Sequence, residues 1–285
     1  MDVYLIRSFI VLVLGSVLVG CATSRPTPVN ASTMSTRDEA IPPPTTAAMC
    51  RPETVPPRAG SHSQRNIGTS VQGTSIVAEV FENPHGADPS TVLFFAAIHG
   101  DEPTTAGVAK RLIALLESHS AIRATLPRTV YLIPVANPDG LAKKTRTNAH
   151  GVDLNRNFDA KNWKSTRRGR TWNGTEPLSE PESRALRDLI LQIRPARILA
   201  LHSIEPGKHG NNYDGPAREL AELLASHNRY PVLPTIGYPT PGSFGSWAGI
   251  DMNIPVITLE LQNNMSTEKA WNENREALLT FLRGK

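Results

Sequence analysis

Seven apolar residues at positions 92–98 constrain the fold more than any other stretch of this chain. They read Val-Leu-Phe-Phe-Ala-Ala-Ile, and a polar turn and an amphipathic segment at 104–116 follow directly. A short apolar run without alternation is typical of a strand buried on both faces, whereas apolar residues at helical spacing predict a helix. The chain therefore contains a strand–turn–helix unit of the kind that builds parallel sheets.

Similar units recur along the chain. Apolar stretches predict strands at residues 76–81, 92–98, 129–135, 197–201 and 254–261. Amphipathic stretches predict helices at residues 104–116, 179–193, 216–227 and 267–283. Because strands alternate with helices, we predict an α/β domain, a three-layer α/β/α sandwich with a mixed, largely parallel central sheet.

Three local signals refine this prediction. Residues 68–74 favour a hairpin turn, and Asn-Pro-Asp-Gly at 137–140 predicts a turn after a strand. Ser179 is predicted to cap the helix that follows it, with Glu182 completing a capping box.

The first twenty residues are predicted to be a lipoprotein signal peptide. Arg7 precedes an apolar run at 9–19, which is too short to span a bilayer comfortably. The run ends in Leu-Val-Gly-Cys, which resembles the lipobox of bacterial lipoproteins, so Cys21 is expected to carry a lipid. Ala22 follows in place of an Asp, which favours the outer membrane over the inner. We therefore expect a lipid-anchored protein of the cell envelope that faces the periplasm.

Residues 21–60 differ in composition from the rest of the chain. After the lipidated Cys21 they are rich in Pro, Thr, Ser and Ala, which predicts a disordered tether because so few apolar side chains are available for burial. The catalytic domain is predicted to cover 61–285. Cys50 is the only other cysteine, so an intramolecular disulfide and a cysteine-based metal site are both excluded.

The charge of the chain is mildly basic, with a formal net charge of +4. Five basic residues cluster within 161–170, and a solvated loop explains them better than attraction to an anionic polymer. We expect no nucleic-acid partner.

Metal-ligating side chains follow two of the predicted strands. His99 and Glu102 come directly after the strand at 92–98, and His202 follows the strand at 197–201. Two His and one Glu are a known hydrolytic zinc set, with a fourth position left open. The alternatives are a polar turn that caps the helix and a hydrogen-bonded structural histidine.

Two further features suggest chemistry. Glu260 lies within an apolar strand, where a carboxyl group has a raised pKa unless it is paired, so it suits a general base. The alternative is a salt-bridged glutamate at the sheet rim. Asn155 and Arg156 lie in Gly-Val-Asp-Leu-Asn-Arg-Asn-Phe at 151–158 and suit a carboxylate ligand, with loop packing as the alternative.

Five motifs occur in the order seen in zinc metallocarboxypeptidases, between about residues 67 and 282. They are His-x-x-Glu at 99–102, the stretch 151–158, Ser-Glu-Pro-Glu at 179–182, His-Ser at 202–203 and Thr-Leu-Glu-Leu at 258–261. The chain is identified by this resemblance as a member of that family. Within the family it resembles the bacterial murein peptide amidases at residues 137–140, 238–247 and 254–261.

The resemblance implies roles for individual residues. His99, Glu102 and His202 would bind one Zn²⁺ per chain. Asn155 and Arg156 would hold the terminal carboxylate of the substrate, and Glu260 would be the general base. An Arg upstream usually steadies the developing oxyanion in this family. Arg146 is the candidate for that role, and Lys143 is the alternative.

Two departures from the digestive-type members bear on specificity. Ile204 stands where those enzymes carry Tyr, and their mobile active-site Tyr has no clear counterpart, because a Gly-Ser-Phe-Gly-Ser segment occupies that region. The resemblance implies hydrolysis of the bond between γ-D-glutamate and meso-diaminopimelate in murein peptides. A general metallocarboxypeptidase is the alternative enzyme, and a deacylase is disfavoured because it would not need Asn155 and Arg156. The alternative of another class is a catalytically silent lipoprotein that binds wall peptides.

Overall fold

The computed structural model describes residues 60–84 and 90–284. The predicted signal peptide, Cys21, Cys50 and the tether up to residue 59 lie outside these described residues, so the predicted domain boundaries stay predictions. Within the described ranges, none of the helices combines the length and hydropathy that crossing a bilayer requires.

Eight strands form one sheet, which confirms the predicted fold class. They are β1 (His62–Thr69), β2 (Ser75–Phe81), β3 (Thr91–Ala96), β4 (Thr129–Ile133), β5 (Arg197–Ile204), β6 (Gly210–Asp214), β7 (Val232–Leu233) and β8 (Val256–Gln262). The helices are α1 (Pro103–Ser118), α2 (Ser120–Arg123), α3 (Pro138–Lys143), α4 (Pro181–Ile193), α5 (Arg218–Asn228) and α6 (Thr267–Arg283).

The centre of the sheet is parallel and its flanks are mixed. The strand order is β1-β2-β4-β3-β5-β8-β6-β7. Strands β4, β3, β5 and β8 run parallel to one another, while β1, β2 and β6 join the sheet through antiparallel pairs. The parallel strands all end at one edge, so side chains that follow β3, β5 and β8 are brought together there.

Helices cover both faces of the sheet, each over its own apolar core. Buried residues of α1, α5 and α6 pack on one face, and the other face packs against α4 and the segments around Phe158 and Phe244. Strand β3 alternates between the two cores: Phe94 belongs to the first and Phe95 to the second. A strand buried on both faces reads as an uninterrupted apolar run, as residues 92–98 do.

Two local predictions are wrong. Asn137 does not open a simple turn; its side chain accepts a hydrogen bond from the Gly140 N–H at 2.9 Å and caps the short helix α3. Ser179 is not the N-cap of α4, because Pro181 occupies the first helical position and Glu180 is the capping residue. The Ser179 hydroxyl donates instead to the Glu180 carboxylate at 2.8 Å.

Candidate active site

The candidate site lies where β3, β5 and β8 end. His99 follows β3 by three residues, while His202 and Glu260 lie within β5 and β8 as direct register partners. All three side chains are buried, with relative exposures of 2%, 3% and 6%. The sheet therefore brings together the two histidines and the glutamate that the sequence placed on separate strands.

The turn between β3 and α1 is held in a strained conformation. Ala97 has a left-handed backbone with φ of 50°, which costs a residue with a side chain roughly 1–2 kcal/mol. Its N–H donates to the Thr105 hydroxyl at 3.1 Å, and its carbonyl accepts from the Asn137 N–H at 3.0 Å. The side-chain Nδ2 of Asn137 also donates to the Ile98 carbonyl at 3.1 Å. These bonds fix the direction in which His99 leaves the sheet, and such strain is typical of functional sites.

His99, Glu102 and His202 form a cluster that can hold a metal ion. One ligand atom from each lies within 4.8 Å of the others. His99 Nδ1 is 2.9 Å from Glu102 Oε1, and His202 Nδ1 is 3.4 Å from Glu102 Oε2. Ligand atoms of a tetrahedral zinc ion lie about 3.4 Å apart, since each is about 2.0–2.1 Å from the metal. Two imidazoles and one carboxylate at this spacing therefore fit zinc.

Asp153 orients His99, a role for which the sequence analysis did not single it out. The fully buried carboxylate lies 3.0 Å from His99 Nε2, which leaves Nδ1 for the metal. Burial alone would lower the pKa of His99, but the Glu102 and Asp153 carboxylates together raise it. A carboxylate on the far nitrogen of a metal-binding His is a common support. Its place two positions before Asn155, within the motif at 151–158, was the signal from which it could have been identified.

The groups around Glu102 keep its side chain ionised. Burial would raise its pKa, but His99 and His202 outweigh that effect and hold the pKa well below its usual range. The Ser203 N–H donates to Glu102 Oε2 at 2.9 Å and fixes the carboxylate further. Burial lowers the pKa of His202, which favours the neutral imidazole that a metal requires.

Glu260 is the carboxyl group beside this cluster that stays protonated most readily. Burial raises its pKa to about 8, and the nearby Glu102 carboxylate acts in the same direction. The side chains of His99, Arg146 and Arg156 act in the opposite direction. A carboxyl group whose pKa lies near neutral pH can both accept and return a proton, as a general base must.

Two arginines face the cluster. Arg146 Nε donates to Asp153 Oδ2 at 3.0 Å, and its Nη1 lies 3.7 Å from Glu102 Oε1. Lys143, the alternative for the same role, is exposed and lines neither of the two cavities at the site. Arg156 is 6% exposed, and its Nη1 donates to the Asn155 carbonyl at 2.7 Å. Burial lowers the pKa of Arg156, which nonetheless stays charged as arginine does in proteins.

The Asn155 side chain is already hydrogen-bonded within the protein. Its Oδ1 accepts from the Phe244 N–H at 2.9 Å, and its Nδ2 lies 3.5 Å from His202 Nε2. The side chain lines the cavity beside Arg156, so the structure brings the predicted pair to one wall. Asn157, the next Asn of the motif, is fully buried and supports the loop, since its Nδ2 donates to the Asn173 carbonyl at 2.9 Å.

Two adjoining cavities open over these residues. The inner cavity has a volume of about 110 Å³ and is lined by His99, His202, Glu260 and residues of β6 and β8. The outer cavity has a volume of about 560 Å³. Their shared lining is formed by Glu102, Arg146, Arg156, Ser203, Ile204 and Tyr238. An extended ligand can thus pass from the outer cavity, over the metal cluster, into the inner one.

Tyr238 lies at the site, although no role was predicted for it from the sequence. It lines both cavities and is 47% exposed. It lies at the rim of the site together with Arg156. By contrast, the five basic residues of 161–170 are solvent-exposed, and Arg170 alone among them lines one of these two cavities, where it pairs with Asp101 at 3.1 Å.

Comparison with known proteins finds similar sequences and a similar fold. Residues 60–207 match the zinc carboxypeptidase family. Murein peptide amidase A of Escherichia coli (strain K12) is 34% identical over 236 residues, which cover 76% of this chain and 88% of that protein. The same-named protein of Vibrio campbellii is 34% identical over 212 residues, 69% of this chain and 78% of that one. The crystal structure of a murein-tripeptide amidase from Escherichia coli O157 superposes with a TM-score of 0.63 at 31% identity, covering 84% and 99% of the two chains.

Proposed function

Because the chain belongs to the zinc carboxypeptidase family and is a zinc metallopeptidase, we propose that it releases the C-terminal residue of murein peptides. The bond we propose joins γ-D-glutamate to meso-diaminopimelate. Relatives of 34% identity that carry the name murein peptide amidase support this substrate class. The predicted family and the predicted zinc cofactor are both confirmed.

One observation carries the proposal: the metal cluster lines one cavity together with a buried carboxyl group and two arginines. Glu260 is the register partner of His202, while Arg146 and Arg156 line the same inner cavity. Hydrolysis of an amide with a free terminal carboxylate needs a proton acceptor, an oxyanion donor and an anion site. Zinc, when bound, polarises the substrate carbonyl and makes water nucleophilic near neutral pH.

The protein's own groups then divide the remaining work. Glu260 takes the proton from the attacking water and passes it to the leaving amine. Arg146 donates to the oxygen on which negative charge develops, a contact whose removal typically costs about 3 kcal/mol. Its hydrogen bond to Asp153 holds the guanidinium in place before the substrate arrives.

Arg156 fixes the other end of the leaving residue. Within the part of the chain that the structure describes, only Nη1 is engaged, by the Asn155 carbonyl, so the remaining N–H groups can bind a carboxylate through two parallel hydrogen bonds. Because Arg156 and Glu260 line the same cavity, holding the terminal carboxylate there sets the scissile carbonyl over the metal cluster.

Turnover of L-Ala-γ-D-Glu-meso-diaminopimelate tests the proposal. We expect zinc-loaded protein to release diaminopimelate, and the same peptide ending in an amide to react far more slowly. Faster cleavage of an ordinary α-linked peptide would favour a general metallocarboxypeptidase. Tight binding of the tripeptide without product would favour the silent wall-peptide-binding protein.

Arg156→Met should lower kcat/KM for the acid-ended tripeptide by about 10- to 100-fold, because hydrogen bonds to a charged group contribute roughly 1.5–3 kcal/mol. It should leave the slow rate on the amide-ended peptide nearly unchanged, since that substrate offers Arg156 no carboxylate. Steady-state kinetics on both peptides measure the effect. Arg187→Met on α4, which removes a partly exposed arginine paired with Asp188, is the matched control. Equal losses on both peptides would show that Arg156 does not bind the terminal carboxylate.

We further propose that the protein is held in the cell envelope by a lipid on Cys21. The lipobox resemblance supports this proposal, and murein peptides are present in that compartment. The location proposed is the periplasmic side of a membrane, with the outer membrane favoured by Ala22.

Cys21→Ser should abolish lipid attachment, because a hydroxyl does not replace the thiol in the lipobox. Growth with labelled palmitate followed by immunoprecipitation measures it, and Cys50→Ser is the control, expected to label normally. Label in the Cys21→Ser protein would refute the anchor while leaving the proposed activity intact.

A further inference from the structure

Large apolar side chains are exposed at the edge of the sheet opposite the candidate active site. The parallel strands β4, β3, β5 and β8 end at the active site, so they begin at this opposite edge, which we call the starting edge. The end of α4 and the segment before β8 meet there around an open groove of about 410 Å³. It is lined by Ile190, Leu191, Arg194, Pro195, Met252 and Ile254.

Three apolar side chains at or beside this groove face solvent. Leu191 is 49% exposed and Met252 is 36% exposed, while Ile250, two residues before Met252, is 61% exposed. Among residues 60–84 and 90–284, the other large apolar side chain with comparable exposure is Tyr238, which lies at the active site. Single exposed apolar side chains are ordinary, whereas a group of them at one place indicates a contact surface. We call Leu191, Ile250 and Met252 together the edge patch.

Two exposed cations flank the edge patch. Arg194 lines the groove, and Lys161 adjoins Asp251, whose Oδ2 accepts a hydrogen bond from the Lys161 N–H at 2.7 Å. The acidic side chain of Asp188, on α4, is engaged by Arg187 Nε at 2.7 Å. Apolar side chains flanked by cations match a bilayer surface, where acyl chains lie beneath anionic phosphate groups.

The chain that precedes the described domain enters at the same edge. Strand β1 is antiparallel to β2, and β2 is antiparallel to β4, so β1 runs in the direction of β4 and begins at the starting edge. The register agrees, because His62 lies opposite Phe81, and Phe81 lies opposite Val130 near the start of β4. The predicted tether thus joins the domain at the edge that carries the patch. A lipid on Cys21 would keep a bilayer at high effective concentration near that edge, so a weak contact would suffice.

We infer that the edge patch rests on the surface of the membrane to which the chain is anchored, with its apolar side chains among the lipid acyl chains and the two flanking cations against anionic headgroups. The inference rests on the proposed lipid anchor at Cys21. It gives the anchored enzyme a fixed orientation, in which the starting edge faces the bilayer and both cavities open away from it. A second copy of the chain is the other occupant to consider, but it would offer the two cations no phosphate group.

Fluorescence quenching in vesicles tests this orientation. The lipidated full-length chain carries Cys50→Ser, so that an introduced cysteine is the only free thiol, and Met252→Cys labelled with bimane. In vesicles of phosphatidylethanolamine and phosphatidylglycerol with brominated acyl chains, which quench a fluorophore beside them, the label at 252 should lose most of its fluorescence. A label at Lys208→Cys, on the outer cavity at the opposite edge, should lose none.

Leu191→Glu should abolish the quenching at 252, because a carboxylate is costly to bury among acyl chains. The variant should still float with the vesicles through its lipid. Asn272→Glu, which adds the same charge at an exposed position of α6, is the matched control and should leave the quenching unchanged.

The possible failures are distinguishable. A chain that carries no lipid and does not float with the vesicles rejects the anchor, and the inference falls with it. A lipidated chain that floats but keeps its fluorescence at 252, or that is quenched equally at 208, rejects the orientation and leaves the anchor in place. An unquenched label combined with a dimer that Leu191→Glu dissociates would assign the patch to a second copy of the chain. Release of diaminopimelate by the same proteins tests the proposed activity separately.

Discussion

Replacing Glu260 with Gln is expected to lower kcat by at least the 10²–10⁴-fold typical of lost acid–base catalysis, while zinc stays bound. Gln keeps the shape and the hydrogen-bonding capacity of Glu but does not accept the proton. Glu260 is not part of the His99, Glu102 and His202 cluster, so the metal should be retained. The loss should appear in kcat more than in KM, since substrate binding does not require the proton transfer.

Glu102→Gln is the matched comparison, because both changes convert a buried glutamate into its amide. The Glu102 carboxylate faces both metal-binding imidazoles, and a neutral amide is a poorer zinc ligand. Added zinc should therefore partly restore Glu102→Gln and should not restore Glu260→Gln. Zinc by elemental analysis, with single-turnover rates at graded zinc, measures both. Loss of metal from Glu260→Gln, or its recovery with zinc, would make Glu260 a ligand and refute its role as base.

The raised pKa of Glu260 gives the same variant a second readout. Because the folded-state pKa is about 8, the folded chain holds a proton there that the unfolded chain releases near its ordinary pKa. This contribution to stability is complete below the ordinary pKa of glutamate and is lost as pH rises through about 8. In chelator-treated protein, Glu260→Gln should flatten the decline in stability between pH 5 and 8, measured by denaturant unfolding.

His202→Ala should remove zinc and, with it, activity, whereas the fold survives. Removing a ligand should weaken zinc by more than the 10- to 100-fold typical of changes beyond the ligands themselves. The variant should also lose the rise in Tm that added zinc gives the wild type, because only the folded state offers the site. His119→Ala, which removes an exposed histidine between α1 and α2, is the control for the substitution. Full zinc content in purified His202→Ala would remove His202 from the site.

Lowering the pH should release zinc from the wild type, and the charges around His99 influence the pH at which release occurs. The Glu102 and Asp153 carboxylates raise the pKa of His99 despite its burial. Protons therefore compete with zinc for His99 at a higher pH than they would for an isolated imidazole. Zinc content measured after dialysis at graded pH, for the wild type and for His202→Ala, tests this prediction.

Three of the residues found from sequence share one property: each is polar and interrupts or follows an apolar stretch. His99, His202 and Glu260 stand out because burial of such groups needs a reason, and the parallel strands bring them to one edge. The same contrast predicted the strands themselves. His202 lies within β5 rather than after it, because the strand continues to Ile204, beyond the apolar run that ends at Leu201.

The residues that were missed lie where no such contrast exists. Strand β6 reads Gly-Asn-Asn-Tyr-Asp, without apolar alternation, because its pairing with β8 and its polar cavity face replace the usual apolar burial. Asp214 was therefore not assigned to a strand or to the site. Tyr238 lies in a segment rich in Pro and Gly, and its approach to Arg156 depends on how that segment packs. A position that depends on tertiary packing in this way leaves no periodic pattern in the sequence.

The buried Asp153 carboxylate connects the proposed metal site to the proposed oxyanion donor. A single carboxylate, Asp153, bonds His99 through one oxygen and Arg146 through the other. If Arg146 makes the proposed contact with the oxyanion, its guanidinium is shared between the substrate and Asp153, and the negative charge that Asp153 offers to His99 changes. By thermodynamic reciprocity, the factor by which zinc alters substrate affinity equals the factor by which substrate alters zinc affinity. The proposed mechanism therefore predicts that the protein binds zinc with a different affinity when substrate is present.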